Sequence, residues 1–291
     1  MKAPPFSYVR ATTLGEVFRL WREAGADAKL LAGGQSLLAT LAFRLSEPTA
    51  LIDISRVSEL KGVSEVAGML RIGALTTHAE LGAHNLVRRS VPLLAEAVPL
   101  IAHPAIRNRG TIGGSLAFAD PAAELPACCV ALDAVIVAHS ATTERRIPAA
   151  QFFTGLYATA LAANELIAGV EFPVAKTGER TAILEVARRS GDYAMAGVVA
   201  RAQATGGTLE DPRVVFFGVG NAPVVAMGAA AAIAGKALTP QTIAAGQAAL
   251  DADLDPPADQ HGTADMKRHL AGVLLARALH RLGGKEEVRA A

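Results

Sequence analysis

Two widely separated glycine pairs share one local grammar, and together they limit what this chain can fold into. Residues 30–37 read LLAGGQSL, and residues 107–126 read RNRGTIGGSLAFADPAAELP. In each, Gly-Gly is followed within two positions by a serine and then by an apolar run. Glycine lets the backbone turn with φ > 0 and lets a ligand approach main-chain N–H groups that a side chain would shield. Consecutive N–H groups in such a turn form a concavity suited to an anion, phosphate above all. Thr111 and Ser115 add hydroxyl donors, and Arg107 and Arg109 bring positive charge close by. Two such turns on one chain suit a ligand with two linked phosphates.

A chain of 291 residues has room for two domains and a substantial core. With 51% hydrophobic and 19% charged residues it is globular rather than disordered. A net charge of +1 with no basic stripe argues against a nucleic-acid partner, and 4% aromatics leave no stacking platform for single strands. The only cysteines, Cys128 and Cys129, are adjacent. They are too few for an iron–sulfur cluster or a four-cysteine zinc site, and they read as small buried apolar residues. MKAPPFSYVRATT has no apolar leader, so a reduced cytoplasmic setting is expected. Residues 214–235 are long and apolar enough to span a bilayer, with Asn221 their one clearly polar residue. Gly218, Gly220, Pro223, Gly228 and Gly235 favour instead a strand, a turn, a short strand and an Ala-rich helix.

In chain order, Thr13–Glu16 spells a capping box, and Leu14, Val17, Phe18 and Trp21 mark one face of a helix ending at Gly25. Residues 29–32 predict a buried strand, Ser36 a cap for the helix after it, and ALIDIS another strand, giving a small αβαβ lobe over about 1–57. A larger α+β lobe follows over 58–176. It opens with a hairpin across Ala67-Gly68 and a second capping box at Thr77–Glu80, and it has later strands at 134–138 and 165–172. Residues 176–180 (KTGER) read as a linker, so the domains divide as 1–176 and 177–291. The last part predicts strands near 182–187, 194–202 and 214–220, then helices from Thr239-Pro240 and over 263–282, an α+β arrangement. KEEVRAA closes the chain as a solvated tail. The seven histidines show no metal-ligand spacing, and His78, His84 and His103 read as surface or capping residues.

AGGQSL, RNRGTIGGSLAFADPAAELP and RRSGDYA (residues 188–194), in this order, resemble one family. It is the FAD-binding medium subunit of the molybdenum hydroxylases, as in bacterial carbon monoxide dehydrogenase and the N-heterocycle hydroxylases. The likeness covers nearly the whole chain, including DLDPPADQHGTADMKRHLAGVLLARAL. It implies a two-part FAD-binding domain of the PCMH type, followed by an antiparallel sheet with helices. It further implies that Ala32, Gly33, Gly34, Gln35 and Ser36 hold the FAD pyrophosphate, with Thr111, Gly113, Gly114 and Ser115 as a second clamp. Leu30, Leu31 and Ile101 would line the cofactor's path, and Ile167 would pack at the adenine end. Glu124 would meet a polar group of the flavin or ribose, and Tyr193 would lie near the isoalloxazine ring. FAD would be bound without a covalent link. The molybdenum cofactor and two-iron two-sulfur clusters would sit on a large and a small partner subunit, in a dimer of heterotrimers. No catalytic residue and no metal ligand are implied on this chain.

Three positions depart from the pattern. Glu185 stands where some relatives carry Lys, Met266 where Tyr often precedes a basic residue, and Gln35 where some carbon monoxide dehydrogenase subunits carry His. Two rival readings stay open at this stage. One is a stand-alone flavin oxidoreductase of the same fold; the other is a nucleotide-binding scaffold without redox function.

Overall fold

The first lobe grows around ALID, four consecutive buried residues that take a strand on each side. The computed structural model describes residues 2–284, so the expected solvated tail lies outside the described residues. The lobe runs β1 (Ser7–Arg10), α1 (Leu14–Ala24), β2 (Lys29–Leu31), α2 (Leu37–Ala42) and β3 (Ala50–Asp53), in a parallel sheet of order β1-β3-β2. The αβαβ unit thus carries one further strand at its front. SYVR has no apolar alternation to announce it; Asp53 helps to hold it. Tyr8 Oη and Arg10 Nε donate to Asp53 Oδ2, and Ser55 N donates to Oδ1 at 2.9 Å. Burial alone would raise the Asp53 carboxyl, but these donors outweigh it and bring it down to about 2. At α1 the capping box is half made. Thr13 accepts from Glu16 N, while the Glu16 carboxylate reaches Thr12 instead of Thr13.

The second lobe begins with the hairpin β4 (Val63–Val66) and β5 (Met69–Gly73), whose tip residues Ala67 and Gly68 both have positive φ. Helices α3 (His78–Ala83), α4 (Asn85–Ser90), α5 (Pro92–Ala97), α6 (Pro104–Arg107), α7 (Ile112–Phe118) and α8 (Glu124–Ala131) follow. The chain then returns through β6 (Val135–His139), β7 (Glu144–Pro148), α9 (Ala149–Phe152), β8 (Phe153–Gly155), β9 (Ala158–Thr159) and β10 (Leu166–Pro173). The main sheet has the order β4-β5-β10-β6-β7. Side chains alternate across a strand, so this sheet serves two cores. Ile136, Ala138, Ile167 and Val170 join the helices, whereas Val137, Leu166 and Ala168 pack with Val17 and Ile52 of the first lobe.

After a turn in which Glu179 N donates to Lys176 O, the expected linker passes directly into β11 (Glu179–Ala187). Then come β12 (Ala194–Thr205), β13 (Thr208–Phe217), β14 (Val224–Val225), α10 (Met227–Ile233), α11 (Pro240–Asp253) and α12 (Ala264–Leu282). The sheet order is β11-β12-β13-β14. One face (Ile183, Val199, Val215, Phe217) lies on the helical core of the second lobe, and the other (Ala182, Val198, Val214, Phe216) lies under α10, α11 and α12. β13 starts six residues before the expected Val214 (214 − 208), because Asp211-Pro212 masks its front half. A break in register there, with Asp211 at φ 47°, admits a proline that cannot donate to the ladder. No helix among the described residues is long and apolar enough to cross a membrane.

The two lobes meet backbone to backbone. A Cβ on Gly33 would stand 2.0 Å from Arg109 O and 2.9 Å from Gly110 Cα, so only glycine fits. Gly33→Ala is therefore expected to cost about 1–3 kcal/mol by overpacking. Gly15→Ala on α1, where a Cβ meets nothing within 4 Å, is expected to be neutral or mildly stabilising; paired denaturant melts test the contrast. Asp53→Asn is expected to cost about 1.5–3 kcal/mol at neutral pH. The folded-state value of Asp53 is depressed, so its stabilisation is present above the ordinary carboxylate value. The gap between wild type and variant should close as pH falls from 3.8 toward about 2, measured by melts across that range.

Candidate functional site

The turn after β2 presents uncommitted donors. Gly34 is left-handed at φ +75°, and the N–H groups of Gly33, Gly34, Gln35 and Ser36 donate to no acceptor among the described residues. The Gln35 side chain folds back onto Gly33 O at 3.2 Å. Ser36 occupies the cap position of α2 without capping it. Its backbone is helical (φ −96°, ψ −50°) rather than extended, which leaves the hydroxyl without a capping bond. Leu30 and Leu31 are half-buried just before this turn.

The second stretch works differently. Ile112 N donates to Thr76 O, Gly113 N to Ala74 O, Gly114 N to Thr111 Oγ1 and Ser115 N to Thr111 O. Those amides are committed, so the expected second concavity of free N–H groups is not there; residues 111–115 offer the hydroxyls of Thr111 and Ser115. Gly113 is glycine for packing, since its Cβ would stand 2.5 Å from Ala74 Cβ. Gly114 has only Thr111 Oγ1 within reach of a Cβ. Arg107 is structural: Nη1 donates to Ile101 O at 2.8 Å and Ala102 O at 2.7 Å.

His84 caps α4 through Nδ1, as expected, but His78 is neither surface nor cap. It is 6% exposed beneath Gly110, with both ring nitrogens lacking a partner. Burial pushes it down to about 4, so it is neutral. Cys128 and Cys129 are buried, as their composition suggested.

Two further glycines close the C-terminal sheet onto this region. At Gly191 (φ +76°) a Cβ would stand 2.6 Å from Ala102 O, next to the buried Ile101. At Gly218 (φ +75°) the N–H donates to Pro121 O at 2.8 Å. The Tyr193 loop, Ile101 and the Asp120–Glu124 segment therefore share one seam. Tyr193 is 59% exposed there, and Tyr157, which packs on Phe118 at 5.1 Å, is exposed as well. Burial raises both phenols, and Asp120 adds to each. Ile167 sits apart, buried among the helix-facing residues of β10.

Glu124 opens α8 and is 9% exposed. Burial pushes its carboxyl up to about 7, and nearby Asp120 adds to the rise. Glu185 on β11 has a buried Oε2 with no hydrogen-bond partner, and burial followed by the proximity of Glu124 pushes it up to about 8. Asp120, Tyr157 and the role of Glu185 were not read from the sequence. The ADPAAE spacing carried a signal for the first; the others meet only in three dimensions. An open groove of about 390 Å³ lined by Phe18, Trp21, Arg22 and Ser140 contains none of the expected site residues.

An uncommitted amide row, an orphaned buried carboxyl oxygen and an exposed aromatic fit a flavin nucleotide. The comparisons agree. The family described as the FAD binding domain in molybdopterin dehydrogenase matches residues 4–175, and the CO dehydrogenase flavoprotein C-terminal domain matches residues 182–282. The chain is 39% identical to the 6-hydroxypseudooxynicotine dehydrogenase complex subunit alpha of Paenarthrobacter nicotinovorans, over 97% of each chain. It is 37% identical to the carbon monoxide dehydrogenase medium chain of Hydrogenophaga pseudoflava, over 96% of this chain and 98% of that one. Among solved structures it superposes on a chain of that organism's carbon monoxide dehydrogenase with a TM-score of 0.94 at 38% identity, covering 98% and 99% of the two chains. It superposes equally on a chain of quinoline 2-oxidoreductase from Pseudomonas putida 86, with a TM-score of 0.93 at 37% identity over the same shares. This chain belongs to the FAD-binding medium subunits of the molybdenum hydroxylases.

Proposed function

We propose that FAD lies without a covalent bond along the seam between the two lobes and the C-terminal sheet, with the chain divided into domains 1–176 and 177–291. The observation that carries this reading is the row of uncommitted N–H groups at Gly33–Ser36, held against the Arg109–Gly110 backbone. Those amides and the Ser36 hydroxyl receive the pyrophosphate, with Ala32 beside them, and Thr111 and Ser115 add hydroxyls from the second lobe at the start of α7, where Gly113 and Gly114 lie. Leu30, Leu31 and Ile101 supply apolar walls, Ile167 supports the adenine end from within the core, Glu124 accepts from a flavin or ribose donor, and Tyr193 lies near the ring. When bound, FAD supplies acceptance of electrons from iron–sulfur clusters and their release to an external acceptor. The protein orients the nucleotide and limits solvent around it. A small subunit with two-iron two-sulfur clusters and a large subunit with the molybdenum cofactor complete a cytoplasmic dimer of heterotrimers.

Cofactor identity is tested by acid precipitation of the purified chain: all colour should pass to the supernatant as FAD. Colour kept in the pellet, or FMN in solution, would overturn the reading. Dependence on partners is tested under anaerobic conditions. The isolated chain should show no flavin bleaching with purines, N-heterocycles, aldehydes or carbon monoxide, and coexpression with its partners should restore bleaching by one of them. Bleaching in the isolated chain would promote the stand-alone oxidoreductase.

A further inference from the structure

The His78 ring edge lies against Gly110, where a Cβ would stand 3.1 Å from Cε1, 3.2 Å from Nδ1 and 3.2 Å from Ile106 O. A Cβ on Gly33, at the head of the uncommitted amide row, would stand 2.9 Å from the Gly110 Cα. Imidazole, Gly110 and Gly33 therefore pack in that order, from the second lobe to the first. Main-chain bonds tie the His78 segment to the Gly110 stretch. His78 N donates to Gly110 O at 2.9 Å, Ile112 N donates to Thr76 O at 3.0 Å, and Thr77 forms an antiparallel bridge with Thr111. The Thr77–Glu80 capping box, with both reciprocal bonds made, fixes where α3 starts and so where the His78 backbone lies. The ring is 6% exposed, and neither nitrogen has a hydrogen-bond partner among the described residues. Burial outweighs the opposing effect of the Thr111 main chain and leaves the ring neutral. A buried polar ring without partners costs stability, so its hydrogen bonding does not account for it; its volume and place do.

We propose that His78 is a positioning residue for the nucleotide site: its ring is a wedge under Gly110 that holds the Arg109–Gly110 backbone against Gly33. The wedge fixes where the turn with the open amides of residues 33–36 sits on the second lobe. It acts through Gly110 rather than on the ligand, and the idea rests on the FAD reading above. Without the ring, the Gly110 backbone relaxes into the space left behind, and the Gly33 turn loses the surface it is packed on. An uncharged ring with two unpartnered nitrogens works here by volume, so an apolar side chain of similar size serves as well.

The test titrates FAD into the folded apoprotein by flavin fluorescence and, without FAD, follows hydrogen exchange of the amides of residues 110–115. His78→Ala should exchange those amides faster than wild type and bind FAD at least about tenfold more weakly, as misplacing one charge-assisted hydrogen bond requires. His78→Leu should return exchange to the wild-type rate and stay within about threefold of wild-type affinity. Gly110→Ala, whose methyl presses on the ring, should also weaken FAD binding. The two losses should not add in the double variant Gly110→Ala with His78→Ala, because the new methyl enters the space the ring has left. Unchanged affinity in folded His78→Ala, a loss in His78→Leu as large as in His78→Ala, or additive losses in the double variant overturns the wedge and leaves the FAD reading intact. Where His78→Ala does not fold, His78→Leu should still match wild type and Gly110→Ala should not, and failure of either overturns the wedge. A wild-type chain that takes up no FAD overturns the FAD reading itself, and exchange at residues 110–115 then still decides whether the ring holds Gly110.

Discussion

Gly33 against the Arg109 carbonyl is the contact on which the site depends. It brings the backbones of two lobes closer than any side chain allows, and it sets the free amides after β2 beside the Arg109–Gly110 backbone that leads into residues 111–115. Packing at this distance is not adjustable: one added methyl must push the lobes apart or distort both turns. Close glycine packing recurs elsewhere. Gly113 sits on Ala74 within the second lobe, whereas Gly191 against Ala102 and Gly218, which donates to Pro121, bring the C-terminal sheet onto that lobe.

The two glycine stretches differ in what they leave open. Gly34 in the left-handed region turns the chain away before a helix can satisfy residues 33–36, so their amides stay open. In the second stretch α7 and its contact with Ala74–Thr76 engage the amides of Ile112, Gly113, Gly114 and Ser115. Identical Gly-Gly spelling thus gives two different surfaces. His78, buried beneath Gly110 beside this second stretch, stays neutral.

Much of this was legible in the chain itself. Capping residues placed α3, α11 and α12, the Ala67-Gly68 hairpin was read to the residue, and the apolar run 214–235 resolved into strand, turn and helix. The family's likeness rested on three motifs, and the fold agrees with it. What escaped reading depends on distant partners. SYVR forms a strand because Asp53 and Ala50 lie beside it, and His78 is buried because Gly110 folds over it. The front of β13 is hidden by a proline that only a break in register admits. Glu185 looked like a departure from pattern; that its Oε2 is buried without a hydrogen-bond partner shows only in three dimensions.

The acid segment is fixed from both sides. Gly218 donates to Pro121 while its own carbonyl accepts from Lys267 Nζ at 3.2 Å, and Lys267, only 3% exposed, pairs with Asp259 at 2.6 Å. A buried ammonium held by a carboxylate and a carbonyl is costly to move, because either partner's loss leaves a charge unpaired in the interior. The path therefore ties the start of α12 to the loop that carries Asp120 and Glu124. On the other side, Glu185 is locked in the middle of β11 by its pairing with β12. Both carboxyls are held where burial raises them, Glu124 at the start of α8 and Glu185 on β11.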